Sequence, residues 1–118
     1  MKLRDSLKIG DVTDFTSFTS AVIDDKAFAR IKSYIDHARD SKNLEILGGG
    51  QYDDSKGYFV QPTIVQTSDP LDKIMTEEIF GPVLTVYVYK DKDLKQTLDL
   101  IGTSTKFALT GAVFAQDE

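Results

Sequence analysis

Val83-Leu84-Thr85-Val86-Tyr87-Val88-Tyr89 is a run of β-branched and aromatic residues whose apolar side chains fall on both alternating faces. That pattern predicts a covered, central strand of an α/β sheet rather than a half-solvated one. Downstream, Leu94, Leu98 and Ile101 recur on one stripe of a helix over about 92–101, and Gly102 is suited to end it. Leu109 to Ala115 then reads as a further buried strand. Strand, helix and strand over 83–115 make a βαβ unit, for which a right-handed crossover is expected.

Working back from that run, Tyr58 to Thr67 is rich in β-formers, with Pro62 implying an edge position or a bulge. Residues 73–81 are mixed in character, after a turn at Ser68-Asp69-Pro70. Leu44 to Leu47 predicts a short strand stopped by Gly48-Gly49-Gly50, and Gln51 to Gly57 a polar loop. Phe28, Ile31, Ile35 and Ala38 recur at steps of three and four, predicting an amphipathic helix from about Asp24 to Arg39. Asp24 and Asp25 lie at its positive end, His37 and Arg39 at its negative end. The Ser/Thr-rich stretch Thr13 to Ser20 reads as a surface loop, with Ser20 or Asp24 capping that helix.

At 118 residues the chain has the size of one ordinary domain, and its 41% hydrophobic and 28% charged residues suit a folded globule. The net charge is -5 and the basic residues are interleaved with acids, as in Lys90-Asp91-Lys92-Asp93. Nucleic acid and anionic membrane, which need clustered cations, are therefore not expected as partners. No apolar run reaches the roughly 20 residues of a membrane span. There is no cysteine and a single histidine, His37, so neither a thiol nucleophile nor a His/Cys metal cluster is available. No catalytic residue and no metal site are expected within this chain. The last strand ends at the C-terminus without a covering helix, so both ends read as cuts.

Two motifs invite a functional reading. Gly48-Gly49-Gly50 is followed by a loop and another strand rather than a helix, which fails the context of a phosphate-cradling loop and leaves a plain turn. In Glu77-Glu78-Ile79-Phe80-Gly81-Pro82-Val83, two carboxylates precede an aromatic, a Gly-Pro turn and the strand already described. If the backbone is extended, Glu78 and Phe80 share a face and Glu77 points away. A carboxylate accepts hydrogen bonds from vicinal hydroxyls and a ring packs on a flat face, a pairing suited to a ribose. On spacing alone, a surface acid beside a core phenylalanine is the simpler reading.

The Glu77 to Val83 segment resembles the signature that the aldehyde dehydrogenase superfamily carries in its catalytic domain. Gly57-Tyr58-Phe59-Val60-Gln61-Pro62-Thr63-Ile64 is similar to the family's stretch just upstream, and Leu109-Thr110-Gly111-Ala112-Val113-Phe114 to its next strand. Phe18 to Asp24, Phe28 to Lys32 and Val86 to Tyr89 resemble the branch that oxidises glutamate semialdehyde to glutamate in proline catabolism, mitochondrial-matrix enzymes in animals. Gly10-Asp11-Val12 departs from the family, which usually has proline after Gly-Asp.

The resemblance implies an α/β fold, a mixed sheet with a βαβ unit and flanking helices. Residues 1–118 would be part of a catalytic domain, with the NAD-binding domain absent. It also implies NAD as cofactor, a small-molecule aldehyde as substrate and self-assembly of the full-length enzyme. By motif position Glu78 resembles the acid that grips the nicotinamide ribose, and Phe80 the aromatic beside it. The family's cysteine nucleophile is not in this chain, so the chain alone is expected to be inactive. A different aldehyde substrate and a non-catalytic α/β interaction module are the alternative readings.

Overall fold

The computed structural model describes residues 2–116. A short helix α1 (Lys2–Asp5) and an irregular stretch lead to α2 (Asp25–Asp40), the longest element. The irregular stretch is tied by an isolated parallel bridge between Ile9 and Thr19. Asp24 is the N-cap of α2: its carboxylate accepts from the Ala27 N–H at 2.7 Å, so Asp24 rather than Ser20 supplies the cap. The apolar stripe of α2 is buried as expected, with Ile31 and Ile35 fully enclosed.

Strand β1 (Leu44–Gly48) pairs antiparallel with β4 (Thr63–Thr67), and β4 pairs parallel with β5 (Val83–Tyr87), giving the order β1-β4-β5. This is the expected mixed α/β sheet. A separate hairpin joins β2 (Tyr52–Asp53) to β3 (Phe59–Val60), so the polar loop after the glycines contains a short strand. Pro62 sits where the chain leaves β3 and enters β4. It therefore divides the β-rich stretch between two sheets instead of bulging one strand.

The β1–β4 pairing slips between Ile46 and Gly48, where one extra residue bends the strand. Gly49 follows at φ +80°, and a Cβ there would lie 2.3 Å from the Pro62 carbonyl oxygen. Gly48 thus ends β1, and Gly49 and Gly50, both at φ +80°, form an irregular link packed on β4.

The core lies between α2 and one face of the sheet, where Phe28, Ile31, Ile35 and Ala38 meet Leu44, Val65 and Ile79. Between β4 and β5 the chain passes through a single-turn helix, α3 (Lys73–Thr76), whose Ile74 also enters this core.

Two strand expectations for the C-terminal third are corrected. Val83–Tyr87 is an edge strand, not a central one, and Leu84 is 60% exposed. Leu109 to Ala115 forms no strand: no ladder hydrogen bonds engage it, and Phe114 is 95% exposed. The two corrections share one cause. A both-faces-apolar strand becomes central only if another strand pairs with its outer edge, and among the described residues none does. Between them, a 3-10 turn (Asp91–Asp93) opens α4 (Leu94–Thr103). Leu94, Leu98 and Ile101 do form a stripe, but it faces solvent. Gly102 lies inside the last turn of α4 rather than ending it; the helix closes with the Ser104 N–H on the Leu100 carbonyl at 2.8 Å.

Candidate functional site

The segment Glu77 to Pro82 leaves the end of α3 and enters β5, and both of its ends are fixed by hydrogen bonds. Asp72 caps α3, its Oδ1 accepting from the Ile74 N–H at 3.0 Å, and the Glu77 N–H closes the turn on the Lys73 carbonyl at 2.9 Å. At the far end the Thr63 N–H donates to the Pro82 carbonyl at 2.8 Å, which starts the parallel β4–β5 ladder. Thr85 Oγ1 donates to the Ile74 carbonyl at 3.1 Å and ties β5 back to α3.

Within that frame one side chain turns inward. Ile79 is buried in the core, while Glu78 and Phe80 on either side of it are exposed. Glu77, also exposed, accepts a hydrogen bond from the Tyr34 hydroxyl of α2. That bond, with partial burial and the Glu77 charge adding to it, holds the Tyr34 hydroxyl above its ordinary pKa. Among the described residues Glu78 has no hydrogen-bonding or ion-pair partner. Of the two adjacent acids, the first is engaged and the second is free.

Phe80 is not the core phenylalanine that spacing alone suggested. Its ring is 80% exposed, and its φ of 54° puts it in the left-handed region, where L-residues other than Asn and Asp rarely settle. Such a conformation costs on the order of 1–2 kcal/mol and persists only when its surroundings enforce it. The enforcing neighbour is Gly81: a Cβ there would fall 2.5 Å from Ile31 Cδ1, so the backbone is pressed against the fully buried side chain of α2. The backbone at Phe80 is therefore not extended, and simple strand alternation does not describe it.

Glu78 and Phe80 border two adjacent hollows. Glu78 lies in one with Tyr34, Thr76 and the Thr103 to Phe107 turn after α4. Phe80 lies in the other with Met75, Val83 and Thr85. Glu77 borders both. His37, at the negative end of α2, has its Nε2 2.9 Å from Asp72 Oδ1, on the carboxylate that caps α3. Sequence reasoning missed the contacts of Arg30 and Tyr34 with this segment and of His37 with the α3 cap before it. Their helical spacing was visible, but their partners lie more than thirty residues away and left no local signal.

A mixed α/β layer that presents a free carboxylate and a strained, exposed ring ahead of a strand has a match among known folds. The aldehyde dehydrogenase family profile covers residues 2–118, and the chain belongs to that family. Within it, the chain is 60% identical over 113 residues to the mitochondrial delta-1-pyrroline-5-carboxylate dehydrogenase of Danio rerio and 58% identical to that of Homo sapiens. These alignments cover 95% of this chain and 20% of each relative, so the chain spans about one fifth of their length. Its fold superposes on the delta-pyrroline-5-carboxylate dehydrogenase of Mycobacterium tuberculosis with a TM-score of 0.90 at 42% identity, covering 98% of this chain and 21% of that one. The NAD-bound form of the same enzyme gives a TM-score of 0.86 at 41% identity, over 98% and 20%.

Proposed function

We propose that this chain is a segment of the catalytic domain of an NAD-dependent dehydrogenase that oxidises L-glutamate 5-semialdehyde, formed from 1-pyrroline-5-carboxylate, to L-glutamate. The identity of 58–60% to enzymes carrying that name carries the substrate assignment. The rest of the enzyme, including its NAD-binding domain and cysteine nucleophile, lies outside this chain on this reading. By the same reading the full-length enzyme works in the mitochondrial matrix and assembles with copies of itself.

Within this segment the role is positioning. Glu78 holds the hydroxyls of the nicotinamide ribose and Phe80 packs beside the sugar. The fit is chemical: Glu78 is an exposed carboxylate with no competing partner among the described residues, and Phe80 is an exposed ring on a constrained backbone. NAD, when bound, supplies the hydride acceptor. Glu78 and Phe80 then set where the acceptor ring lies, and a misplacement of about 1 Å can cost on the order of 100-fold in rate.

In the full-length enzyme, Glu78→Gln is expected to weaken NAD binding and slow the hydride step while leaving the melting temperature unchanged. Wild-type values in both NAD titration and stopped-flow NADH formation would overturn the ribose assignment. Purified 118-residue chain is expected to form no NADH from glutamate semialdehyde, because it has no thiol to attack the aldehyde.

A further inference from the structure

Two residues of α2 contact the segment that carries Glu78 and Phe80, and a third reaches the cap of α3 just before it. Arg30, Tyr34 and His37 stand at i, i+4 and i+7, one stripe of the helix beside its apolar face. Arg30 Nε donates to the Ile79 carbonyl at 3.1 Å, the Tyr34 hydroxyl donates to Glu77, and His37 Nε2 meets Asp72. The partners run backwards along the chain, 79, 77 and 72, as the helix runs forwards. Lys73 adds a fourth link, its ammonium 5.6 Å from the centre of the Tyr34 ring.

We propose that this stripe is a positioning clamp, with Arg30 and Tyr34 as positioning residues that fix Glu78 by holding the residues on either side of it. The proposal rests on the cofactor role given to Glu78 above.

Two features separate a clamp from ordinary packing. The bonds land on Glu77 and Ile79, the immediate neighbours of Glu78, and leave the Glu78 carboxylate itself untouched. Tyr34 also occupies Glu77, so the adjacent acid is not free to compete for the same hydroxyls. The contacts involve exposed or partly buried groups, which contribute little to global stability. Their effect falls on the geometry of a six-residue connection that has no ladder of its own between α3 and β5.

The test uses the full-length enzyme with Tyr34→Phe, Arg30→Met and the double variant, read beside Glu78→Gln. Hydrogen exchange at residues 77–80 is expected to quicken about tenfold in the double variant. NAD affinity should fall about five- to tenfold, with the KM for the aldehyde and the melting temperature near wild type. Glu77→Ala should reproduce Tyr34→Phe. Glu77→Gln, which keeps an acceptor for the hydroxyl, should stay close to wild type. Unchanged exchange in the double variant overturns the clamp, whatever Glu78→Gln does. Faster exchange with unchanged NAD affinity in the clamp variants, while Glu78→Gln weakens it, overturns the link between clamp and cofactor. Faster exchange with NAD affinity unchanged in every variant overturns the ribose reading and, with it, the functional part of the clamp.

Discussion

At the residue scale the site depends on two adjacent backbone positions with opposite requirements. Phe80 accepts a left-handed φ because Gly81 lets the chain lie against Ile31. Ile31 is fully enclosed, so a methyl group at position 81 cannot be accommodated by a side chain moving into solvent. Gly81→Ala is therefore expected to destabilise the fold by about 1–3 kcal/mol, measured by urea unfolding, and to shift Phe80. A stability within experimental error of wild type would show that α2 can yield at Ile31. A second residue-scale expectation concerns Asp14, whose pKa is lowered to about 2, first by the Lys8 ammonium at 2.7 Å and then by the Thr16 hydroxyl and N–H. A carboxyl with a depressed folded pKa contributes stability that is full above its unfolded value of 3.8 and is lost as pH falls towards 2. The loop over 8–17 should therefore loosen across that acid window. Lys8→Met should move the Asp14 midpoint, read by NMR titration, upward toward the ordinary range. An unmoved midpoint would mean that the Thr16 bonds alone hold the carboxylate.

At the element scale α2 is the organising piece, since one face fills the core and a neighbouring stripe reaches the site. Its start depends on Asp24, and Asp24→Ala is expected to cost about 1 kcal/mol in thermal or urea unfolding. A loss near zero would mean that tertiary packing alone sets the first turn. This helix was legible in the sequence because burial at steps of three and four is a local pattern, while its cap was narrowed only to Ser20 or Asp24. Two strands were legible from composition for the same reason, as Leu44 to Leu47 and Val83 to Tyr89, where the structure has Leu44–Gly48 and Val83–Tyr87. What composition did not disclose was their place in the sheet. Whether Val83–Tyr87 is central depends on a partner, and a run of apolar residues reads the same with or without one. Leu109 to Ala115 shows the limit most plainly, since strand-forming residues make no strand where no ladder receives them. At the site, Glu78 and Phe80 are both exposed, but they border separate hollows. The left-handed turn at Phe80 and the engagement of Glu77 were not legible, because each is imposed by α2, some fifty residues away in the chain.

At the scale of the whole molecule the surface is too large for the length. The Cα radius of gyration is 15.9 Å, against roughly 13–14 Å for a compact domain of this size. The accessible area is 8972 Å², where a compact monomer of this mass would show roughly 6,400 Å². Exposed large hydrophobics stand at both ends of the chain, in Val12, Phe15 and Ile23 before α2 and in the outward stripe of α4 with Leu109, Val113 and Phe114. The isolated chain is therefore expected to bind a hydrophobic dye such as ANS, with α4 and residues after 105 exchanging amide hydrogens fastest. A chain that binds no dye and protects α4 would mean that the C-terminal third folds back on the sheet in solution. Among the described residues β5 has a partner on only one side. Its outer row of amides and carbonyls is an unzipped seam, and in concentrated solution the natural tooth for it is the same seam on another molecule. Preparations of the segment by itself should gel or form thioflavin-positive ribbons with age, and a lysine in place of Leu84 should keep them clear.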